Sequence, residues 1–279
     1  MCRQDTATIF VLATAKPPAI LPAMMLALVL ATVSLAEFPT VTAGHYQVFA
    51  QSGTEMAGQL NGYMNAMLEL YSRYFSNWTV KDGARVVVFS DVEDFREYSR
   101  EATGMTHKSL LGYCHLKTDE DGNSFYELVA YEHAGLWGVL AHEGFHQFVG
   151  YEMGREIPVW LNEGMAQFFE NSVVKNGRLQ SGTMDRNRLA LAKSLIVARR
   201  APTINELMGM DRAAFYGDAS VNYPVSWALV YYLSTQRGAV FRRYLQDLKW
   251  NRDARRFGRD SAQWQSEFEH FIVNAGNFR

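Results

Sequence analysis

The pentapeptide His142-Glu143-Gly144-Phe145-His146 limits what this chain can fold into more than any other stretch. It lies inside L-W-G-V-L-A-H-E-G-F-H-Q-F-V-G, residues 136–150, where Leu136, Trp137, Val139, Leu140, Phe145, Phe148 and Val149 leave almost no polar face. A run of this kind is expected to be a helix buried nearly all round. Positions i and i+4 of a helix stand one above the other on one face, so His142 and His146 present their imidazoles side by side. Two such histidines can be ordinary packed residues. In an apolar helix, however, unpartnered imidazoles and a carboxylate are expensive to bury. One zinc ion, with bonds of about 2.0–2.1 Å to nitrogen, is the partner that suits them. Glu143 then falls beside the ion, where a carboxylate can act as general base toward water.

A catalytic zinc needs a third protein ligand, with a fourth position left open. A histidine six residues past His146, preceded by a glycine, would serve, but those positions hold Glu152 and Val149. The segment Trp160-Leu161-Asn162-Glu163-Gly164-Met165-Ala166 offers Glu163, seventeen residues after His146. That interval accommodates a helix end, a turn and the first turn of a returning helix. Glu152 and Glu156, in the loop between, are the geometric alternatives.

H-E-G-F-H followed by W-L-N-E-G-M-A resembles the gluzincin zinc metallopeptidases, which include thermolysin-like and membrane-alanyl-aminopeptidase-like enzymes. It is most similar to exported bacterial members of the peptidase-MA-like group. The resemblance covers residues 136–172 best, with a fainter likeness over 223–233. It implies a zincin-like catalytic domain, one zinc ion on His142, His146 and Glu163, Glu143 as general base, and a peptide or protein substrate. The fainter likeness, Y-P-V-S-W-A-L-V-Y-Y-L, is similar to the aminopeptidase-like helix whose leading tyrosine donates to the tetrahedral intermediate. That assigns the role to Tyr223, with Tyr216 in reserve; a phenol can steady an oxyanion without carrying charge. Packing at a helix start is the alternative for Tyr223 in a chain of 14 tyrosines. There is one departure. Many relatives place an acidic residue four positions after the glutamate ligand to orient a zinc histidine, and here that position is Gln167. An amide can accept from an imidazole N–H but polarises it less. Glu170 lies seven residues from Glu163 on the same face and is a further candidate, and Asn162 adjoins the ligand itself.

The flanking periodicity predicts an α+β fold with a mixed N-terminal sheet and a mostly helical C-terminal half. Strands are expected at residues 45–50, 85–89, 113–116 and 125–131, and helices at 54–75 and 91–101, the latter capped by Ser90 or Asp91. The turn Asp119-Glu120-Asp121-Gly122-Asn123 reads as a hairpin and lacks the pattern of a calcium loop. The strand at 125–131 runs almost directly into the His142 helix. It is expected to wall the cleft and to pair with extended substrate backbone. Glu132 and His133 stand at that junction, and Glu132 is a remote candidate for gripping a substrate's free amine. After a loop at 151–158, helices are expected at 159–174, 187–199, 204–210, 224–236, 240–250 and 261–274. Arg242, Arg243, Lys249, Arg252, Arg255, Arg256 and Arg259 read as a solvated helical face.

Arg3 and Lys16 precede an apolar run, Ala19 to Ala36, ending Val33-Ser34-Leu35-Ala36. This reads as an export signal over 1–36, cut before Glu37, leaving one domain over 37–279 with a mixed part (37–135) and a helical part (136–279). The apolar core from Ala23 to Val33 is shorter than the ~20 residues that span a bilayer, so no stable membrane insertion is expected after cleavage; an uncleaved anchor is the alternative. The expected location is periplasmic, extracellular or on the cell envelope. Cys114 would then remain alone, without an internal disulfide. A formal charge of −2 gives no electrostatic case for nucleic acid. Two function classes follow: a zinc peptidase, leaning to endopeptidase or oligopeptidase action, or a zinc-stabilised binding or envelope-interaction protein that keeps the fold without catalysis. A histidine pair without metal is the third reading.

Overall fold

The computed structural model describes residues 33–75, 84–104, 109–153, 157–175, 178–250 and 255–275. Most of the expected leader and the alternative ligand Glu156 lie outside these residues. The chain is α+β. Its sheet has the order β1-β2-β3-β5-β4, built from β1 (Thr40–Ala43), β2 (Tyr46–Ala50), β3 (Ala84–Phe89), β4 (Gly112–Thr118) and β5 (Ser124–Tyr131). β2, β3 and β5 run parallel, and the two edge strands are antiparallel to their neighbours. The run of β-branched residues in β3 suits a central strand covered on both faces. Its Val86 and Val88 join the main core, whereas Val87 and Phe89 face a second cluster.

Helix α1 (Thr54–Ser72) links β2 to β3 and covers the first face; α2 (Val92–Thr103) covers the other. The Asp91 side chain caps α2 by accepting from the N–H groups of Glu93 and Asp94, as the sequence predicts. The Asp119–Asn123 turn closes the β4–β5 hairpin with backbone bonds between Asp119 and Asn123 and from Gly122 to Asp119. β5 lies between β3 and β4, so both of its backbone edges are already paired. This corrects the expectation that the 125–131 strand pairs with substrate: the free edge on this side of the sheet belongs to β4.

The helical half comprises α3 (Leu136–Met153), α4 (Val159–Glu170), α5 (Arg186–Val197), α6 (Ile204–Gly209), α7 (Arg212–Gly217), α8 (Ala219–Gln236), α9 (Gly238–Lys249) and α10 (Arg255–Asn274). α3 runs three residues past Gly150. α4 stops at Glu170, short of the expected 174, because the chain turns into a two-stranded hairpin, β6 (Val173–Lys175) and β7 (Arg178–Gln180). α8 begins before Pro224, which lies inside the helix and deprives the Ser220 carbonyl of its usual partner. α3 and α4 are held against α1 by an aromatic knot in which Tyr71 meets Phe145, Phe148 and Phe169 edge-on. The Tyr71 hydroxyl also donates to the Ala141 carbonyl at 2.7 Å, which fixes α3 one residue before His142. Among the described residues, no helix is long and apolar enough to cross a membrane.

Candidate metal centre

α3 supplies His142 and His146, one turn apart on its face toward α4, and the second turn of α4 supplies Glu163. All three are buried, at 1%, 7% and 0% exposure. Glu163 Oε2 lies 3.6 Å from His142 Nε2 and 3.7 Å from His146 Nε2. Donors around a tetrahedral ion with bonds of about 2.0–2.1 Å stand about 3.3–3.4 Å apart, so these atoms already frame one site. The Nε2 of His146 and the Oε2 of Glu163 have no hydrogen-bond partner despite their burial. Buried polar atoms are rarely left so, and a cation accounts for both at once. Among the described residues this is the group of side chains that could hold a metal ion. Glu152, the other described alternative, is taken up elsewhere, in a buried ion pair with Lys249 of α9.

The far nitrogens of the two rings are engaged, which turns the Nε2 atoms inward. His146 Nδ1 lies 3.1 Å from Asn162 Oδ1, and His142 Nδ1 lies 3.4 Å from Glu170 Oε2. The Glu170 carboxylate receives Arg188 Nη2 at 2.7 Å, and Arg188 Nη1 reaches Asp185 Oδ2 at 3.0 Å. Carboxylate–imidazole contacts of this kind fix ring orientation and raise ligand basicity. Gln167 does not take part, contrary to expectation. Its amide donates to the Tyr223 carbonyl at 3.2 Å and ties α4 to α8, while Glu170 occupies the orienting position.

Charge follows the same arrangement. Burial disfavours a protonated His142, but Glu163 and Glu170 outweigh it and raise that ring's pKa. Burial likewise opposes ionisation of Glu163, and the imidazoles overcome it and lower the carboxyl. The surroundings therefore favour one positive charge at the triad. His146 is pushed down to about 4 by burial, which Glu163 offsets only in part, and a neutral ring is the form that binds metal.

Glu143, 2% exposed, stands beside the triad with its Oε1 unpartnered. The backbone N–H of Cys114, on the edge strand β4, donates to its carboxylate. Burial raises its pKa to about 8; the His142 charge opposes this, Glu163 and Glu170 add to it, and the Cys114 N–H works against them. Tyr216 of α7 donates from its hydroxyl to Glu163 Oε1 at 2.6 Å. Tyr223, from the second turn of α8, is half-buried beside the same carboxylate, its ring centre 6.3 Å from that of Tyr216. Burial and the Glu163 charge raise the pKa of both phenols, which hold their protons as donors. Glu132 and His133 are no part of the triad; His133 Nδ1 accepts the Gly135 N–H at 3.0 Å.

Sequence spacing thus places His142, Glu143, His146, Glu163, Asn162, Glu170 and both tyrosines at one centre. Arg188 and the Cys114 N–H were not legible, since they come from distant elements without a local pattern. The tight Tyr216 contact depends on α7, a six-residue helix capped by Asp211 onto the Ala214 N–H; the D-R-A-A sequence was the available signal. A family model described as "Protein of unknown function (DUF1570)" matches residues 137–252. No curated protein matches the chain. The family likeness takes in both ligand-bearing helices, α7 and α8, and leaves the sheet outside it.

Proposed function

We propose that the protein is a zinc-dependent peptidase. The carrying observation is the pairing of a buried two-imidazole, one-carboxylate triad with a buried glutamate beside it whose Oε1 has no partner. A site serving structure alone has no use for Glu143. Zinc is favoured by the donor set, two histidines and a glutamate, which leaves a fourth position open. When bound, the ion would polarise a peptide carbonyl and lower the pKa of water toward about 7.

In this reading the chain's own groups do the rest. Glu143 accepts a proton from the attacking water and passes it to the leaving amine nitrogen, a task suited to a carboxyl whose pKa is raised toward neutrality. Tyr223 donates its hydroxyl proton in a hydrogen bond to the oxyanion. β4, whose Cys114 N–H already touches Glu143, lends its free edge to an extended substrate, whose backbone adds a strand there. Binding through backbone groups suits a peptide or protein substrate with limited demand on side-chain identity.

The test is a peptide-library cleavage profile run with zinc, with chelator, and with Glu143→Gln. Cleavage is expected to vanish with chelator and to fall about 10²–10⁴-fold in the variant, which should still hold one zinc per chain. Full turnover by the variant removes Glu143 from its role. Zinc at unit stoichiometry with no peptide cleaved by the unaltered chain sinks the peptidase reading and leaves a zinc-stabilised binding protein.

A further inference from the structure

Away from the triad's own residues, a cleft of about 370 Å³ opens between the end of α1, β7, the end of α8 and the start of α9, lined by Arg73, Tyr74, Ser181, Ser234, Gly238 and Arg242 among others. Among the described residues, no acidic side chain lines it. Among the described residues neither guanidinium has an ion-pair partner. The chain's formal charge is −2, so this is a local concentration of positive charge and not part of a generally basic surface.

Four features point the same way. Arg242 folds back over the beginning of its own helix: its Nη1 lies 3.4 Å from where a Cβ on Gly238 would sit. A helix start carries roughly half a positive charge, so a guanidinium lying over it adds to the attraction an anion would meet there. Next, α9 has no side-chain cap, which leaves the N–H groups of its first turn without intrahelical acceptors. The Ser234 Oγ is buried and has no partner. Lastly, the Tyr74 hydroxyl pairs with Ser181 Oγ at 3.1 Å on the opposite wall. Both guanidinia lie near enough to that phenol to favour its ionised form, although burial outweighs them.

We propose that this cleft is a binding site for a phosphoryl group, held between Arg73 and Arg242 and hydrogen-bonded by the first-turn N–H groups of α9 and the Ser234 hydroxyl. Guanidinia bind phosphate oxygens in pairs, and a helix start presents N–H groups to a third. Donors arriving from several directions suit a tetrahedral anion better than a planar carboxylate. Because Arg73 caps the C-terminus of α1 and Arg242 belongs to α9, an occupant joins the sheet-bearing half of the molecule to the helical half.

Calorimetric titration of the full, zinc-loaded chain with inorganic phosphate and with glycerol 3-phosphate, against chloride at matched ionic strength, tests the site. One saturable site is expected, weakened at least tenfold in Arg73→Ala and in Arg242→Ala and a few-fold in Ser234→Ala, with zinc content and peptide cleavage unchanged. A free anion is the natural ligand if inorganic phosphate binds more tightly, and a phosphate ester if the glycerol compound does. Phosphate can also bind at zinc, so the titration is repeated with Glu163→Ala. Binding that survives there and is lost in the arginine variants upholds the proposal. Binding lost with Glu163→Ala and kept in the arginine variants, or no tighter than chloride, overturns it.

Discussion

Glu163 divides its two oxygens between two tasks. Oε2 faces the imidazoles at 3.6 and 3.7 Å, and Oε1 accepts the Tyr216 hydroxyl at 2.6 Å. A carboxylate with one oxygen so engaged offers a metal the other alone, which keeps the coordination number low and a position open for substrate. Tyr216→Phe should therefore weaken metal affinity by about 10–100-fold, the usual effect of losing a partner behind a ligand. It should also change the visible spectrum of the cobalt-substituted protein toward a higher coordination number. Unchanged affinity and an unchanged spectrum would show that the hydroxyl does not constrain the ligand. Glu170→Gln acts on the other side of the centre. It takes the negative charge from His142 and leaves Arg188 with Asp185 alone, and a chelator competition titration should show a loss of the same order. The three candidate ligands were legible because i, i+4 spacing and a helix–turn–helix interval fix geometry within a short stretch. Gln167 misled because sequence places it on the right face but cannot show that the Tyr223 carbonyl claims its amide.

At the scale of elements, the centre depends on how closely four helices approach in two pairs. A Cβ on Gly164 would lie 2.8 Å from the Ser226 carbonyl oxygen and 2.9 Å from Val230 Cγ2, both on α8. A Cβ on Gly144 would lie 2.8 Å from Met64 Cε and 3.0 Å from the Tyr71 hydroxyl, both on α1. These two glycines set the distances from α4 to α8 and from α3 to α1. Gly164→Ala is the more telling change, because the obstacle is backbone and cannot rotate away. Overpacking of this sort costs about 1–3 kcal/mol. Since Gly164 follows the ligand directly, the shift is expected to displace the Glu163 carboxylate as well. The variant should show a lower thermal midpoint in the metal-free state and, separately, weaker metal binding; an unchanged pair of values would mean that α4 and α8 can part without consequence. Long periodic elements such as α1, α3 and α8 were readable because their apolar spacing repeats. The brief β1, β6, β7 and α7 were not, since a few residues carry too little pattern to separate a strand or a single turn from a loop. The order of strands was also out of reach: nothing local shows that β4 takes the edge and closes β5 to substrate.

The whole molecule sets charges on both faces of its sheet. One face carries α3 with its two candidate ligands, and the other buries Glu127 of β5 completely. Four side chains from three elements converge on that carboxylate: Tyr98 of α2 at 2.6 Å, His115 and Lys117 of β4 each at 3.2 Å, and Arg85 of β3 at 3.7 Å. Burial alone would raise its pKa, but the hydrogen bonds from His115 and Tyr98 and the Lys117 charge prevail and lower it to about 2. A carboxyl held below its ordinary value contributes stability that is complete above about pH 4.5 and disappears as pH falls through about 2. The contribution at neutral pH is on the order of 2–3 kcal/mol, allowing for the solvent that reaches Lys117 and Arg85. Glu127→Gln keeps the shape and removes the charge. In metal-free protein, where loss of ligand-bound metal in acid cannot interfere, denaturant unfolding should find the variant less stable by about that amount near pH 7. The gap should narrow steadily as pH falls from about 4.5 toward 2. A gap that stays constant over that range would show that packing and hydrogen-bond geometry, and not the charge on Glu127, hold β3, β4, β5 and α2 together.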